Sequence, residues 1–335
     1  MSDKKSKIVY IVYSVIVSIV IGSLAYIWCV STNVHTQKEV FINVSDEKGL
    51  FDVLNSNSIS REEKFRAELT SDIYLSQEYY DKIKGINNVS GSKGAFFYGT
   101  IEGNGYAIYI DAEMDAPIIN TICNTASISG LTIANAVFQN KSAENIGVSI
   151  LAESNCGLIE NIAIKNSKLY IDSELFASAL VGYNFGRIGR CVVETEYIIE
   201  QKYISTKKID DVWKCRVGSI AAYNLKDGVI RGVFVSAVFP DNFVVLTLNQ
   251  YQDKGMKNLS VGYAVGGWNY EKLNNIDDVY LVDGKYASAA IDFTSIQPGS
   301  MEIVGRSAIT EANYKDWTVR WAFNNEDLPT LTKQK

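Results

Sequence analysis

An apolar triplet with a fixed internal spacing recurs five times in the chain: Ile128/Leu131/Ile133, Ile159/Ile162/Ile164, Ile188/Cys191/Val193, Ile230/Val233/Val235 and Ile276/Val279/Leu281. The second member follows the first by three residues and the third follows by two more. An asparagine precedes each copy (Asn124, Asn155, Asn184, Asn224, Asn269), and Ala126, Gly157, Gly186 or Gly228 stands two residues ahead of four of them. Successive triplets lie 31, 29, 42 and 46 residues apart, a range in which chains stack supersecondary units one on the next. The last two members alternate with Thr132, Ala163, Val192, Phe234 and Tyr280, the period of a strand with one buried face, and these five are expected to point away from it. Each copy therefore reads as one coil of a parallel β-helix, with coils at roughly 4.8 Å and the triplets aligned as an internal aliphatic ladder. Asparagine tolerates left-handed backbone at the bend, and its amide can bond a neighbouring backbone group or the same asparagine one coil away. The leucine phrase and following helix of a leucine-rich repeat are missing.

Ahead of the repeats, residues 8–30 contain no charge over 23 positions, about 35 Å as a helix and enough to cross a hydrocarbon core. Lys4, Lys5 and Lys7 precede the stretch, so a transmembrane helix here places the N-terminus in the cytoplasm and the rest outside, as a single-pass plasma-membrane protein. A cleaved signal peptide fits less well: its apolar core spans roughly 7–15 residues and ends at a small-x-small site. Cys29 follows Ile27 and Trp28, unlike a lipoprotein box. The resulting division is a cytoplasmic tail (1–7), the membrane helix (8–30), a stalk and lead-in strand (31–44) and an ectodomain (45–335). Within the ectodomain a cap helix covers 45–56, coils run over about 69–285 and a C-terminal cap over about 286–331. Ser45 is placed to cap the helix, with Asp46 and Glu47 in its first turn and Leu50, Phe51, Val53 and Leu54 on its apolar side. Such a cap shields the open backbone edge of a first coil.

The first coil strand is expected over Leu69–Leu75, and Gly103-Asn104-Gly105 reads as a tight turn without the helix that a phosphate loop needs. The phrases Leu69-Thr70-Ser71-Asp72-Ile73-Tyr74-Leu75, Gly99 to Ile108 and Leu180-Val181-Gly182-Tyr183-Asn184-Phe185-Gly186-Arg187-Ile188 resemble bacterial surface proteins built of GLUG-type repeats on a right-handed parallel β-helix. Asp316-Trp317, Trp321 and Leu328-Pro329-Thr330-Leu331 look like the closing segment of such proteins, so the resemblance covers roughly residues 40–331. It implies an extracytoplasmic, cell-surface solenoid, and it carries a fold and a place more than a reaction. Members of that family are often large, secreted and multi-modular; this chain is short with one N-terminal apolar helix.

The two longer triplet spacings mark insertions at about Glu200 to Lys214 and about Pro240 to Asn258. Both leave the repeat just after the ladder strand, so they are expected to emerge side by side as an edge lobe. Tyr203, Trp213, Phe243 and Tyr251 with Asp210, Asp211, Asp241 and Asp253 lie in them, and long loops in compact folds are usually functional. Tyr203, Asp210, Asp211, Trp213, Phe243 and Tyr251 are the candidate ligand-binding residues, suited to stacking on sugar rings or to a protein partner. The competing reading has these aromatics packing the loops onto the scaffold.

Catalytic signals are weak. Glycoside cleavage needs two carboxyls roughly 5–10 Å apart; Asp210-Asp211 and Asp277-Asp278 are the conspicuous pairs, and strand alternation would send the latter to opposite faces. Pectin-hydrolase and pectate-lyase signatures are missing, and the one histidine, His35, lies in the stalk, which rules out His-dependent triads and His-rich metal sites in the ectodomain. No cofactor or metal is expected. Cys191 replaces a ladder aliphatic and reads as a buried thiol. Cys123 and Cys156 lie one before and one after equivalent asparagines, diagonal neighbours for which a disulfide is one reading. Removing the +2 of residues 1–30 from the chain's −6 leaves −8, unfavourable for nucleic acid. The expected role is thus a membrane-anchored, non-catalytic binding or structural module of the cell envelope that contacts a glycan or envelope protein. A carboxylate-based polysaccharide hydrolase or lyase, or an architectural envelope subunit, is the alternative.

Overall fold

In a computed structural model of the chain, the residues described are 38–59, 63–87, 96–139, 147–171, 176–199, 216–225, 227–239, 265–268, 275–283, 301–317, 319–324 and 327–334. The 8–30 stretch read as a membrane span lies outside them, and among the described residues no helix is long and apolar enough to cross a membrane. The α-helices among the described residues, α1 (Glu47–Ile59) and α2 (Gln77–Asn87), have 13 and 11 residues, about 20 and 17 Å against a hydrocarbon core of about 30 Å. The expectations of a single N-terminal span, a membrane partner and a single-pass plasma-membrane location are corrected accordingly.

The described chain is mostly strand, and nearly all of its pairing is parallel. The main sheet runs in sequence order through Lys38–Val44, Glu63–Leu69, Thr100–Glu102, Ser127–Ala134, Leu158–Ile171, Arg187–Ile199, Val229–Val238, Ile276–Val282 and Met301–Val304. A second sheet orders Phe96–Phe97, Ile119–Ile122, Ala152–Asn155, Val181–Asn184, Ala221–Asn224 and Val265–Trp268, and a third joins Gly147–Ser149, Phe176–Ser178 and Arg216–Gly218. From the main sheet the chain passes through a short strand of the third, then the second, and re-enters the main sheet one rung on. The triplets align as their spacing predicts: Ile128, Ile159, Ile188, Ile230 and Ile276 pair in register, as do Ile133, Ile164, Val193, Val235 and Leu281. All of these are buried in one apolar cluster with Leu131, Ile162, Cys191, Val233 and Val279. Each such side chain removed from water contributes about 1.5–3 kcal/mol.

The three-residue gap inside the triplet has a backbone cause. Gly130, Asn161, Arg190, Gly232 and Asp278, each two residues after the first isoleucine, all have positive φ, between 49° and 66°. A left-handed residue at this point bulges each strand, so first and second members both face inward although three residues apart. Asp277 and Asp278 consequently both lie on the outer side of their strand, between buried Ile276 and Val279, so simple alternation does not separate them as expected. At the bend, the asparagine side chains form a buried ladder: Asn155 Nδ2 donates to Asn184 Oδ1 (2.8 Å), Asn184 Nδ2 to Asn224 Oδ1 (2.7 Å) and Asn224 Nδ2 to the Gly228 carbonyl (2.9 Å). Asn124 is outside it: Asn155 pairs with Ile122, because the first turn holds two more residues, and Asn124 is exposed there. Glycine is required beside the ladder, since a Cβ on Gly186 would sit 2.2 Å from the Gly157 carbonyl oxygen and one on Gly157 2.3 Å from that of Cys123. Gly103-Asn104-Gly105 is the expected tight turn, with Asn104 and Gly105 at positive φ and Tyr106 N–H bonding the Gly103 carbonyl.

At the N-terminal end, α1 buries Leu50, Val53 and Leu54 against the first rungs. Its N-terminus is capped by Asp46, whose Oδ1 accepts from Gly49 N–H at 2.7 Å, in place of Ser45, whose carbonyl instead accepts from the Ser71 hydroxyl. The expected Leu69–Leu75 strand is divided into Glu63–Leu69 and Ile73–Ser76, and α2 follows. That second helix is an addition to the sequence reading; its buried Tyr80 and Ile83 lie three apart, as one helix face requires. The Tyr80 hydroxyl accepts from the N–H groups of Asp115 and Ala116 at 2.8 and 2.7 Å, tying the helix to the 115–118 turn.

The expected C-terminal cap is a strap instead. From Val304 at the last strand of the main sheet, the chain returns over the outer face of that sheet toward the first rungs. Ala163, Val192 and Phe234, three of the five residues expected to point away from the ladder, are buried beneath it with Ile309, Trp317, Trp321 and Leu328. A main sheet with apolar residues on both faces must be covered on both, which is why these residues do not reach solvent. The strap closes in a short antiparallel pair, Trp321–Ala322 with Thr330–Leu331.

Candidate functional site

The six sequence-nominated binding residues, Tyr203, Asp210, Asp211, Trp213, Phe243 and Tyr251, lie outside the described residues, as do Asp241 and Asp253. The structure does describe the ground they spring from. On one rung, Ile171 ends the main-sheet strand and Phe176 opens the third-sheet strand, with four residues (172–175) between them. On the next rung the same junction runs from Ile199 to Arg216 across sixteen residues (200–215). On the rung after that, 25 residues (240–264) lie between Phe239 and Val265 of the second sheet, where their register counterparts Leu169 and Val181 enclose eleven (170–180). Both insertions therefore depart from one junction on consecutive rungs.

Their roots are fastened together. Glu196 pairs with Val238, which sets Tyr197 beside Phe239, and the two rings stack at 4.4 Å and 7°. Both rings are buried. Such a stack contributes about 0.5–1.5 kcal/mol beyond its burial. Sequence reasoning missed this pair, although a signal existed: each aromatic falls four residues after the last triplet member, Val193 or Val235, on the two rungs that carry insertions. Alongside the roots, Val238 is 58 % exposed, and Lys168 bridges Glu196 at the surface.

The face beneath the strap is the other chemically distinct region, and the chain fills it itself. Trp317 packs edge-on against Phe234 at 4.8 Å, and Trp321 Nε1 donates to Asn161 Oδ1 at 3.0 Å. Arg320 reaches Glu102 at 2.9 Å; Ser129 Oγ also donates to that carboxylate. Gly130 leaves the room, for a Cβ there would meet Glu102 Oε1 at 2.3 Å. Lys333 bonds Asp72 at 2.8 Å and lies over the Tyr106 ring. Partial burial opposes ionisation of Asp72, but the Lys333 ammonium and the Ala107 N–H outweigh it and hold the carboxyl below its usual range. At the root of the strap, Arg306 Nε donates to Asp283 at 2.6 Å and its other nitrogens reach Asp327 and Ser236.

Beyond the strap's end, Tyr74 stacks on Tyr109 at 5.0 Å and is 68 % exposed. Asp277 and Asp278 adjoin at the surface, where burial and then the Asp277 charge push the Asp278 carboxyl up. Among the described residues no group of three or more His, Cys, Asp or Glu side chains is arranged to hold a metal. Cys191 is a buried thiol, pushed up to about 12 by burial.

No family model, curated protein or solved structure matches the chain. The resemblance to GLUG-repeat proteins thus gains no support, and the expectations of a cell-surface place and of carbohydrate binding are corrected: no helix among the described residues is long and apolar enough to span a membrane, and no match points to a glycan.

Proposed function

We propose that the chain is a right-handed parallel β-helix, closed at its N-terminal end by α1, that acts as a non-catalytic scaffold presenting the insertions 200–215 and 240–264 to a protein partner. In-register triplets on the main sheet, with two further parallel sheets on the same path of the chain, support the helix, and right-handed crossovers are the strong rule for parallel strands. One observation carries the function: both insertions leave the same junction on consecutive rungs, with their roots pinned by the Tyr197–Phe239 stack. A frame that is rigid at the roots and lengthened beside them on two consecutive rungs suits a surface set apart from the stacking that builds the fold.

The test replaces 200–215 by the four-residue connection 172–175 and 240–264 by the eleven residues 170–180, and compares the variant with the intact chain by circular dichroism and by co-purification from the source cells. The scaffold reading expects unchanged folding and loss of the co-purifying proteins. An unchanged set of proteins bound to the folded variant would overturn it. Trp213→Ala with Tyr251→Ala refines the location and should lower binding at least tenfold without moving Tm.

A further inference from the structure

Cys123 and Cys156, which directly follow the second-sheet strands Ile119–Ile122 and Ala152–Asn155, stand in a different relation from the one their spacing suggests. Ile122 pairs with Asn155, and Asn155 with Asn184. Cys156 N–H bonds the Ile122 carbonyl at 2.7 Å, Cys123 N–H bonds that of Phe97 at 2.9 Å, and Phe185 N–H bonds that of Asn155 at 2.7 Å. The next residue in each rung therefore falls in one column, Tyr98, Cys123, Cys156, Phe185, with Leu225 beyond. Cys123 and Cys156 are directly opposed, not diagonal. Adjacent parallel rungs are roughly 4.8 Å apart, inside the range of about 4.4–6.8 Å that bridged cysteines span between Cα atoms. The column otherwise holds large apolar or aromatic residues, so two thiols on consecutive rungs are a departure from its pattern. Cys191, by contrast, stands opposite Val233 in the aliphatic ladder, with no second thiol in register.

We propose that Cys123 and Cys156 are a modification site: a rung-to-rung disulfide made and broken by exchange with a small-molecule disulfide such as oxidised glutathione. Both are thiols in this structure, Cys123 buried and Cys156 half-buried, which sets the order of events. The Cys156 thiol loses its proton and attacks one sulfur of the small disulfide, releasing one glutathione and leaving a mixed disulfide. Cys123 then loses its proton and attacks the Cys156 sulfur, and the second glutathione leaves. Two electrons and two protons pass from the protein to the small disulfide, which becomes two thiols. The bridge would span 33 residues of sequence and restrict the unfolded chain accordingly.

The experiment incubates the purified full-length chain with oxidised glutathione and maps its peptides without reduction. A Cys123–Cys156 linked peptide that dithiothreitol removes, with a rise in Tm on oxidation, is the expected result. Cys123→Ser should instead hold glutathione on Cys156, and Cys156→Ser should leave Cys123 unmodified with no rise in Tm. Persistence of the glutathione adduct on wild-type Cys156, linkage of Cys156 to any other cysteine, or two unreacted thiols would each overturn the proposal. Should a variant fail to fold, the wild-type map alone decides.

Discussion

At the scale of the residue, the bends are where this chain has the least freedom. Gly186 faces a carbonyl oxygen of the preceding turn at a distance no Cβ tolerates, whereas a Cβ on Gly189 would meet nothing closer than 3.7 Å. Gly186→Ala should therefore lose about 1–3 kcal/mol of stability by overpacking, and Gly189→Ala should stay within about 0.5 kcal/mol of wild type. Urea midpoints of the two variants check the contrast, and equal midpoints would remove the explanation given for the repeated glycine. Asn184 both donates and accepts in the buried ladder. Asn184→Ala strands a donor on Asn155 and an acceptor on Asn224, a loss of about 2–4 kcal/mol in the same measurement. The ladder was legible in the sequence for Asn155, Asn184 and Asn224, which hold the same register position on three consecutive rungs. Asn124 was misassigned because a two-residue difference in turn length shifts register without changing the local phrase.

At the scale of the element, the strap is held by polar contacts at intervals and by tryptophans between them. Trp321→Phe keeps most of the packing but leaves Asn161 Oδ1 buried without its donor, which should cost about 1–3 kcal/mol. Thermal melts of the variant read this directly. The Asp72–Lys333 contact adds a pH dependence. Asp72 is held below its ordinary value of 3.8 in the folded protein, so its contribution is fully present above that value and is lost as pH falls through the lower folded one. Below about pH 4 the wild-type Tm should fall toward that of Lys333→Ala. A constant gap between the two curves down to acid pH would show that the contact contributes nothing through ionisation. None of these partners is close in sequence: Arg320 and Glu102 are 218 residues apart, Lys333 and Asp72 261. Composition and local spacing carry no trace of such pairs.

At the scale of the whole molecule, stacked rungs make stability a sum of neighbour contacts, so a long array can come apart piecewise. The strap opposes this by joining the last strand of the main sheet to the rungs around Glu102 and Asp72. Removing residues 305–335 should split a single thermal transition into two or more, and expose Val192 and Phe234 to a hydrophobic dye. One unchanged transition in the truncated chain would show that the rungs cooperate without the strap. The same contacts explain why Ala163, Val192 and Phe234 are buried although strand period sets them on the face away from the ladder. Alternation correctly told which residues face the inner ladder, but residues on the other face are outside only if nothing else covers them.

The amino-acid sequence by itself determined the repeat, the parallel register and the asparagine bend, because each of these is imposed by contacts between identical positions one rung apart. It also marked where two rungs carry extra chain. The left-handed bulge that makes the triplet spacing work, the opposition of Cys123 and Cys156, the stacked roots of the insertions and the path of the strap were decided only in three dimensions. Each depends on backbone conformation or on residues brought together from distant rungs, and burial on the second face of a sheet is a property of what the rest of the chain does there.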